Sequence, residues 1–253
     1  MLSHNQTKLL AALQVKKYRQ KYRKFMVEGD KMVAELLAQQ RVKVEAVFGL
    51  ERWAADNAAL LLPVLKIFNP VSEAELKKIS ALVTPNQVLA VAELPEEPFA
   101  ADLLQRDFCL FLDGIQDPGN MGTMLRTADW FGIPAVICSP DSADAFSPKV
   151  VQASMGAFLR VKIWETPFEN VMAHAPNIPV LGTVLEGENL FEAQLPAHGL
   201  LVVGNEGRGI SPEVRKGLSH RLTIPRHPNG GAESLNAAVA VGIVAAMLRR
   251  GRG

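Results

Sequence analysis

Apolar and polar positions along the chain follow two regimes. Over the first ninety or so residues the pattern is mixed. Residues 7–22 repeat apolar positions at helical spacing, placing Leu9, Leu10, Leu13 and Tyr18 on one inward face. Residues 25–28 form a short apolar run stopped by Gly29, which predicts a strand. Asp30 is then placed to cap a helix through Met32, Val33, Leu36 and Leu37. A second strand is expected over 44–48, before Gly49. Ser72 with Glu75 three residues on is a capping box, opening a helix through Leu76 and Ile79. A strand at 88–91 closes this part.

The pattern then breaks. Pro95 and Pro98, set among Glu93, Glu96 and Glu97, interrupt any regular ladder. Beyond them, strand and helix patterns alternate. Strands are expected at 108–112, 135–138, 161–164, 180–184, 200–203 and 222–224. Helices are expected up to Phe131, around 149–155, after Pro212 and at the C-terminal end. Such alternation predicts an α/β fold, a mostly parallel sheet with helices on both faces. The expected organisation is a small α/β domain over 1–94, a linker over 95–106 and a second domain over 107–253.

Composition adds few constraints. The chain has 253 residues, 48% hydrophobic and 21% charged, with a formal net charge of +1. This suits globular domains and names no partner through bulk charge. Local charge says more: no Asp or Glu precedes Glu28, while Lys8, Lys16, Lys17, Arg19, Lys21, Arg23 and Lys24 do. A basic stripe of this kind can neutralise phosphates, or can be a solvated helix face. Lys16, Lys17, Arg19, Arg23 and Lys24 are its candidate phosphate-binding residues. Cys109 and Cys138 lie inside apolar runs and read as buried small hydrophobes. No paired Cys/His spacing suggests a metal. The N-terminus lacks the apolar core of a signal peptide, and the longest apolar stretch, 235–248, contains Asn236 and is too short for a membrane span. A cytoplasmic protein is expected.

Three blocks in the second part carry candidate chemistry. Each ends an apolar run with a Gly- and Asn-rich loop and then begins a helix. In the first, Gly114, Gly119 and Gly122 surround Asp117-Pro118, with Asn120 and Arg126 beside the loop. In the second, Gly204, Asn205, Glu206, Gly207, Arg208 and Gly209 form a GxxGxG run, followed by Ser211-Pro212 as a helix start. That spacing is not a dinucleotide fingerprint, and no P-loop occurs. In the third, Ile224-Pro225 end a strand and a loop rich in Gly and Pro follows. Ser234 is then expected to cap a helix that is apolar nearly all round. Such a helix must be buried on every face, which points to a subunit interface. Asn236 in its first turn either holds loop backbone or faces a ligand. In a parallel sheet all three loops fall along one edge, where open α/β sheets bind ligands.

Taken in order, the three blocks resemble the signature motifs of the SpoU/TrmH family of RNA 2′-O-ribose methyltransferases, in the SPOUT superfamily. The matching residues are Asn120, Gly122 and Arg126; Gly204 through Ser211; and Ile224-Pro225 with Ser234-Leu235-Asn236. The resemblance covers residues 107–253. The basic opening helix and the FMVEGDKMVAELL segment also resemble the small substrate-binding domain that many members carry.

The resemblance implies a sheet whose C-terminal segment forms a trefoil knot, a homodimer through the C-terminal helix and the catalytic domain, and S-adenosylmethionine as cofactor. Gly204, Asn205, Gly207, Gly209, Ile224, Pro225 and Leu235 would be its binding residues. Arg126, Asn120, Glu206, Ser234 and Asn236 would be the catalytic set. The implied reaction methylates a ribose 2′-oxygen, with ribosomal RNA favoured over transfer RNA. The alternatives are a transfer-RNA methyltransferase, or a non-catalytic RNA-binding or ribosome-assembly factor on the same fold. Arg126 would either take the hydroxyl proton or remain charged and stabilise the oxyanion. The loop over 226–233 is longer than is usual in the family, and His227 within it has no assigned role.

Overall fold

The computed structural model describes residues 2–39 and 41–250. In chain order its first elements are α1 (His4–Ala12), α2 (Lys16–Tyr22), β1 (Lys24–Glu28), α3 (Asp30–Ala38), β2 (Val44–Gly49), α4 (Glu51–Asp56) and α5 (Ala58–Leu61). A 3-10 stretch, Leu62–Ile67, leads to β3 (Phe68–Pro70), α6 (Glu73–Ile79) and β4 (Val88–Glu93). There follow α7 (Leu103–Arg106), β5 (Phe108–Asp113), α8 (Pro118–Trp130), β6 (Ala135–Cys138), α9 (Pro148–Ser154) and β7 (Lys162–Glu165). The chain ends with α10 (Phe168–His174), β8 (Val180–Asn189), β9 (Gly199–Gly204), α11 (Pro212–Lys216), β10 (His220–Thr223) and α12 (Ala237–Arg249).

Two compact units result. The first takes the chain up to Glu96 and also Asp144–Leu159; the second takes Glu97–Ala143 and everything from Arg160 on. The expected unbroken second domain therefore differs from the packing. Residues 144–159 join the first unit because their apolar side chains find partners there: Phe146 and Phe158 both pack edge-on against Phe25.

In the first unit a four-stranded sheet runs β1-β4-β2-β3, with β4 antiparallel to both neighbours and β3 parallel to β2. Leu10 and Leu13 join Leu76 and Ile79 of α6 over Met26, Phe48 and Leu89 of the sheet. The Ser72/Glu75 capping box forms as the sequence predicts: the Ser72 N–H donates to Glu75 Oε2 at 2.9 Å and the Glu75 N–H to Ser72 Oγ at 3.3 Å. Two expectations need correction. The helix over 7–22 is two helices, broken at 13–15, and the restart at Lys16 changes which face points inward. Tyr18 consequently turns outward and Arg19 turns in. Asp30 lies in the first turn of α3 rather than capping it; the cap position is Gly29, at φ 111°.

The second unit is a six-stranded parallel sheet in the order β10-β8-β9-β5-β6-β7. Its central strand β5 is buried along its whole length, as near-continuous apolar runs in parallel sheets require. Cys109 and Cys138 are buried and unpaired with each other, and burial pushes the Cys109 thiol up to about 12. α12 packs on α8. Arg249 fastens its far end, donating to the Phe131 and Gly132 carbonyls at 2.7 and 2.8 Å and pairing with Asp107 at 2.7 Å. Among the described residues no helix is long and apolar enough to cross a membrane.

Candidate active site

Because the strands are parallel, β5, β9 and β10 deliver their following loops to one sheet edge. β5 and β9 are neighbours, in register from Phe108 opposite Gly199 to Asp113 opposite Gly204, so the first two loops start side by side. Asp113, buried at the end of β5, locks them together by accepting the Ser211 N–H at 2.6 Å.

The first loop enters α8 through Asp117, whose Oδ1 accepts the Asn120 N–H at 2.7 Å, with Pro118 in the first turn. Asp117, not Asn120, is therefore the cap, which frees the Asn120 side chain for other partners. The second loop folds back on itself: Asn205 and Gly209 exchange backbone hydrogen bonds of 3.1 and 2.8 Å. That reversal needs glycine twice. Gly209 sits at φ +71°, and a Cβ on Gly204 would stand 2.2 Å from the Ile210 nitrogen. Asn205 spends its side chain inside the scaffold. Its Oδ1 accepts from Gly207 and Arg208, at 3.0 and 3.1 Å, and its Nδ2 donates to the Gly114 carbonyl at 2.8 Å.

The third loop corrects the expected cap. α12 begins at Ala237, and Asn236, not Ser234, caps it, Oδ1 accepting from the Ala238 and Val239 N–H groups at 2.9 and 3.2 Å. The hydroxyl of Ser234 makes no hydrogen bond among the described residues. In the same loop Arg226 donates to the Ala232 carbonyl at 3.1 Å, and His227 Nδ1 accepts the Asn229 N–H at 3.2 Å, which gives that histidine a place in the loop's own turn.

One chain of side chains joins all three loops. Asn236 Nδ2 donates to Asn120 Oδ1 at 2.9 Å, and Asn120 Nδ2 donates to Glu206 Oε1 at 2.6 Å. Its direction is fixed at both ends: the carboxylate can only accept, and the cap consumes the Asn236 oxygen. Arg126 lies two turns along α8 from Asn120, exposed, and among the described residues its guanidinium has no hydrogen-bond or ion-pair partner. All five expected catalytic residues thus lie in the loops at this sheet edge or on the helix that leaves it, and three of them, Asn236, Asn120 and Glu206, are directly connected.

Three features of the second and third loops fit S-adenosylmethionine. Gly209 has no atom within 4 Å of where a Cβ would stand, so its backbone is open to a ligand. Leu235 exposes 49% of its surface and Ile224 is partly exposed, an apolar seat for a flat ring. Gly207 is exposed, so its backbone is open as well. Asn205 is the exception, since its side chain is fully engaged within the protein.

The basic stripe is a partial correction. Arg19 is 3% exposed, donating to Asp144 Oδ2 at 2.8 and 2.6 Å and to the Leu13 carbonyl at 2.7 Å, so it is a buried structural residue. Arg23 pairs with Glu96 at 2.8 Å, and Lys24 pairs with Glu45. Lys16 is half-buried, and Lys17 is exposed. Sequence reasoning missed Asp113, Asp117, Ser139 and Ser142. Only Asp117 carried a visible signal, as the residue before a first-turn proline.

Comparison with known proteins agrees with this layout. Residues 107–246 match the SpoU rRNA Methylase family, and residues 4–90 match the MRM3-like substrate binding domain. The 23S rRNA (guanosine(2553)-2′-O)-methyltransferase RlmP of Bacillus subtilis (strain 168) is 31% identical over 240 residues, covering 94% of this chain and 93% of that protein. A protein of the TrmH family from Porphyromonas gingivalis is 43% identical with a TM-score of 0.86 over the full length of both chains. An AdoMet-bound rRNA methyltransferase from Sinorhizobium meliloti is 28% identical with a TM-score of 0.85, covering 99% of this chain and 96% of that one. A family match over more than half the chain, set on the strands and loops that carry the three motifs, places this protein in the SpoU rRNA methylase family.

Proposed function

We propose that this protein uses S-adenosylmethionine to methylate a ribose 2′-oxygen in ribosomal RNA. The carrying observation is the Asn236–Asn120–Glu206 chain, which ties the three loops together, with Arg126 on the same helix as Asn120 and without a partner among the described residues. When bound, S-adenosylmethionine supplies a methyl group on a sulfonium, already a good leaving group. Gly204, Gly207, Gly209, Ile224, Pro225 and Leu235 are its proposed seat.

The chain's own residues then have two tasks, to hold the ribose in line and to make a weakly acidic hydroxyl nucleophilic. Arg126 stabilises negative charge as it develops on the 2′-oxygen. A guanidinium keeps its proton in proteins, which favours this electrostatic role over that of a base. Asn120 and Asn236 hold the loops at fixed spacing, so that the acceptor hydroxyl meets a prepared site. Glu206 keeps Asn120 in one orientation and retains a second carboxylate oxygen for the ribose.

A homodimer belongs to the same proposal. Trp130, the last residue of α8, is 84% exposed and Val239 in the first turn of α12 is 51% exposed. The same proposal includes the C-terminal trefoil knot that the family resemblance implies, and a cytoplasmic location. Mass-spectrometric mapping of 2′-O-methyl groups in ribosomal and transfer RNA, from cells with and without the gene, tests the function. Loss of one ribosomal ribose methyl group is expected. A lost transfer-RNA methyl, a base methyl or no change would each refute the proposal.

A further inference from the structure

Gly114, the first residue beyond β5, is held from both sides. Its N–H donates to the buried Ser139 Oγ at 2.8 Å, and its carbonyl accepts Asn205 Nδ2 at 2.8 Å. Ser139 in turn donates to Asp141 Oδ1 at 2.6 Å, with Ser142 Oγ at 3.0 Å completing the knot of hydroxyls. Asp141 is exposed, yet its carboxylate is aimed. Its other oxygen, Oδ2, lies 3.1 Å from where a Gly114 Cβ would stand. Arg208 Nη2 approaches the same point at 3.8 Å. These two opposite charges converge on one spot but form no ion pair among the described residues. Gly114 puts no side chain between them, at φ +68°. The Arg208 guanidinium has no other side-chain partner among the described residues. Arg208 is also two residues from Glu206, on the loop that carries the Asn120 contact.

We propose that Asp141 and Arg208 read the base of the target nucleotide and select guanine. The inference rests on the methyl-transfer proposal and adds the identity of the acceptor nucleoside. RNA bases splayed out of a helix are recognised along their hydrogen-bonding edges. A carboxylate offers only acceptors, and guanine is the base that presents two adjacent donors, N1–H and the N2 amine. A guanidinium offers only donors, and guanine presents O6 and N7 as acceptors beside them. Adenine and cytosine each set an acceptor beside their amine on that edge, and uracil offers one donor between two acceptors. Ser139 is a positioning residue, acting through Asp141.

The test uses the full chain with nucleoside monophosphates, followed by ligand-observed NMR titration. Guanosine monophosphate is expected to bind at least about tenfold tighter than adenosine or inosine monophosphate, the latter lacking only the N2 amine. Asp141→Asn should bring the guanosine-to-inosine ratio close to one, while S-adenosylmethionine affinity and melting temperature stay as in the wild type. Ser139→Ala should lower that ratio partially. Arg208→Gln should weaken both nucleotides together, because both carry O6 and N7, and leave the ratio intact. Equal binding of guanosine and inosine monophosphate to the wild type, or an unchanged ratio in Asp141→Asn, overturns the proposal. The wild-type comparison decides even if a variant fails to fold. Methyl mapping gives a second arm: a methylated guanosine supports the proposal, and any other methylated nucleoside refutes it. No methyl group anywhere defeats the methyl-transfer proposal instead, and the nucleotide titration still decides this one.

Discussion

Asn236 and Asn120 meet at 2.9 Å, and the same Asn236 side chain caps α12 through its oxygen. Stability and site geometry thus share one residue, and substitution can separate them. Serine caps helices about as well as asparagine but lacks the amide that reaches Asn120. Asn236→Ser is expected to keep the wild-type melting temperature within error and to lose turnover at least about tenfold, the scale on which a misplaced site residue acts. Asn236→Ala should lose turnover equally and also about 1 kcal/mol of stability. Thermal melts alongside single-turnover methylation measure both. Full activity in Asn236→Ser would assign the contact to scaffolding alone.

Arg126 stands apart from that chain, exposed and without a partner among the described residues. Its removal should leave the fold intact, so Arg126→Ala is expected to abolish methyl transfer while keeping S-adenosylmethionine binding by calorimetry. Arg126→Lys discriminates the two roles. A lysine supplies charge without the planar fork, so an electrostatic role predicts partial activity, with a loss of about 10²–10³ rather than abolition. Near wild-type turnover in Arg126→Ala would remove Arg126 from the mechanism.

Much of this site is legible in the sequence. Alternating apolar runs and glycine loops placed β5, β9 and β10 and their three loops correctly, because a buried parallel sheet imposes that pattern locally. Helix phase was less legible. A break at 13–15 carries no proline or glycine, so Tyr18 and Arg19 exchanged places relative to expectation. The caps were half legible. Ser72 with Glu75 is a local device and was visible, whereas Asn236 displaced Ser234 because its second partner, Asn120, is 116 residues away. The role of Asp144 was hidden for the same reason, since its partner Arg19 is 125 residues distant.

The second loop makes a sharper prediction. A Cβ at Gly204 would stand 2.2 Å from the Ile210 nitrogen and 2.3 Å from the Gly209 carbonyl carbon, both backbone atoms that cannot swing aside. Gly204→Ala should open the Asn205–Gly209 turn, speed hydrogen exchange at those two amides and weaken S-adenosylmethionine binding at least about tenfold, one misfitted backbone contact being worth that much. Gly207→Ala is the control. Its Cβ would meet only Asn205 Oδ1 at 3.6 Å, an ordinary contact, so hydrogen exchange in the turn should change little.

The Arg19–Asp144 pair tests the first unit. Its side chains are only 4% and 15% exposed, and Arg19 makes three hydrogen bonds. Removing one partner of a buried pair leaves a desolvated charge, so Arg19→Met or Asp144→Ala should each cost about 3 kcal/mol in urea unfolding. The double variant should cost clearly less than the two singles together. Additive losses would mean that the two residues do not stabilise each other.

Glu75 gives the pH dependence. The Ser72 N–H, then the Leu2 N–H and the Ser72 hydroxyl, hold its carboxyl down to about 2 from an ordinary 4.5. The folded state therefore favours the ionised form more than the unfolded state does. The resulting stability is fully present above the ordinary value and is lost as pH falls from 4.5 toward 2. Glu75→Gln removes this ionisation. The stability gap between wild type and Glu75→Gln should be constant from pH 7 down to about 5, shrink between 4.5 and 2, and level off below. The group lies at the surface, so added salt should shrink the gap at pH 7 as well. Urea midpoints for both proteins at pH 7, 5, 3.5 and 2 measure it, and a gap that does not change with pH would mean that the carboxylate's charge plays no part in the cap.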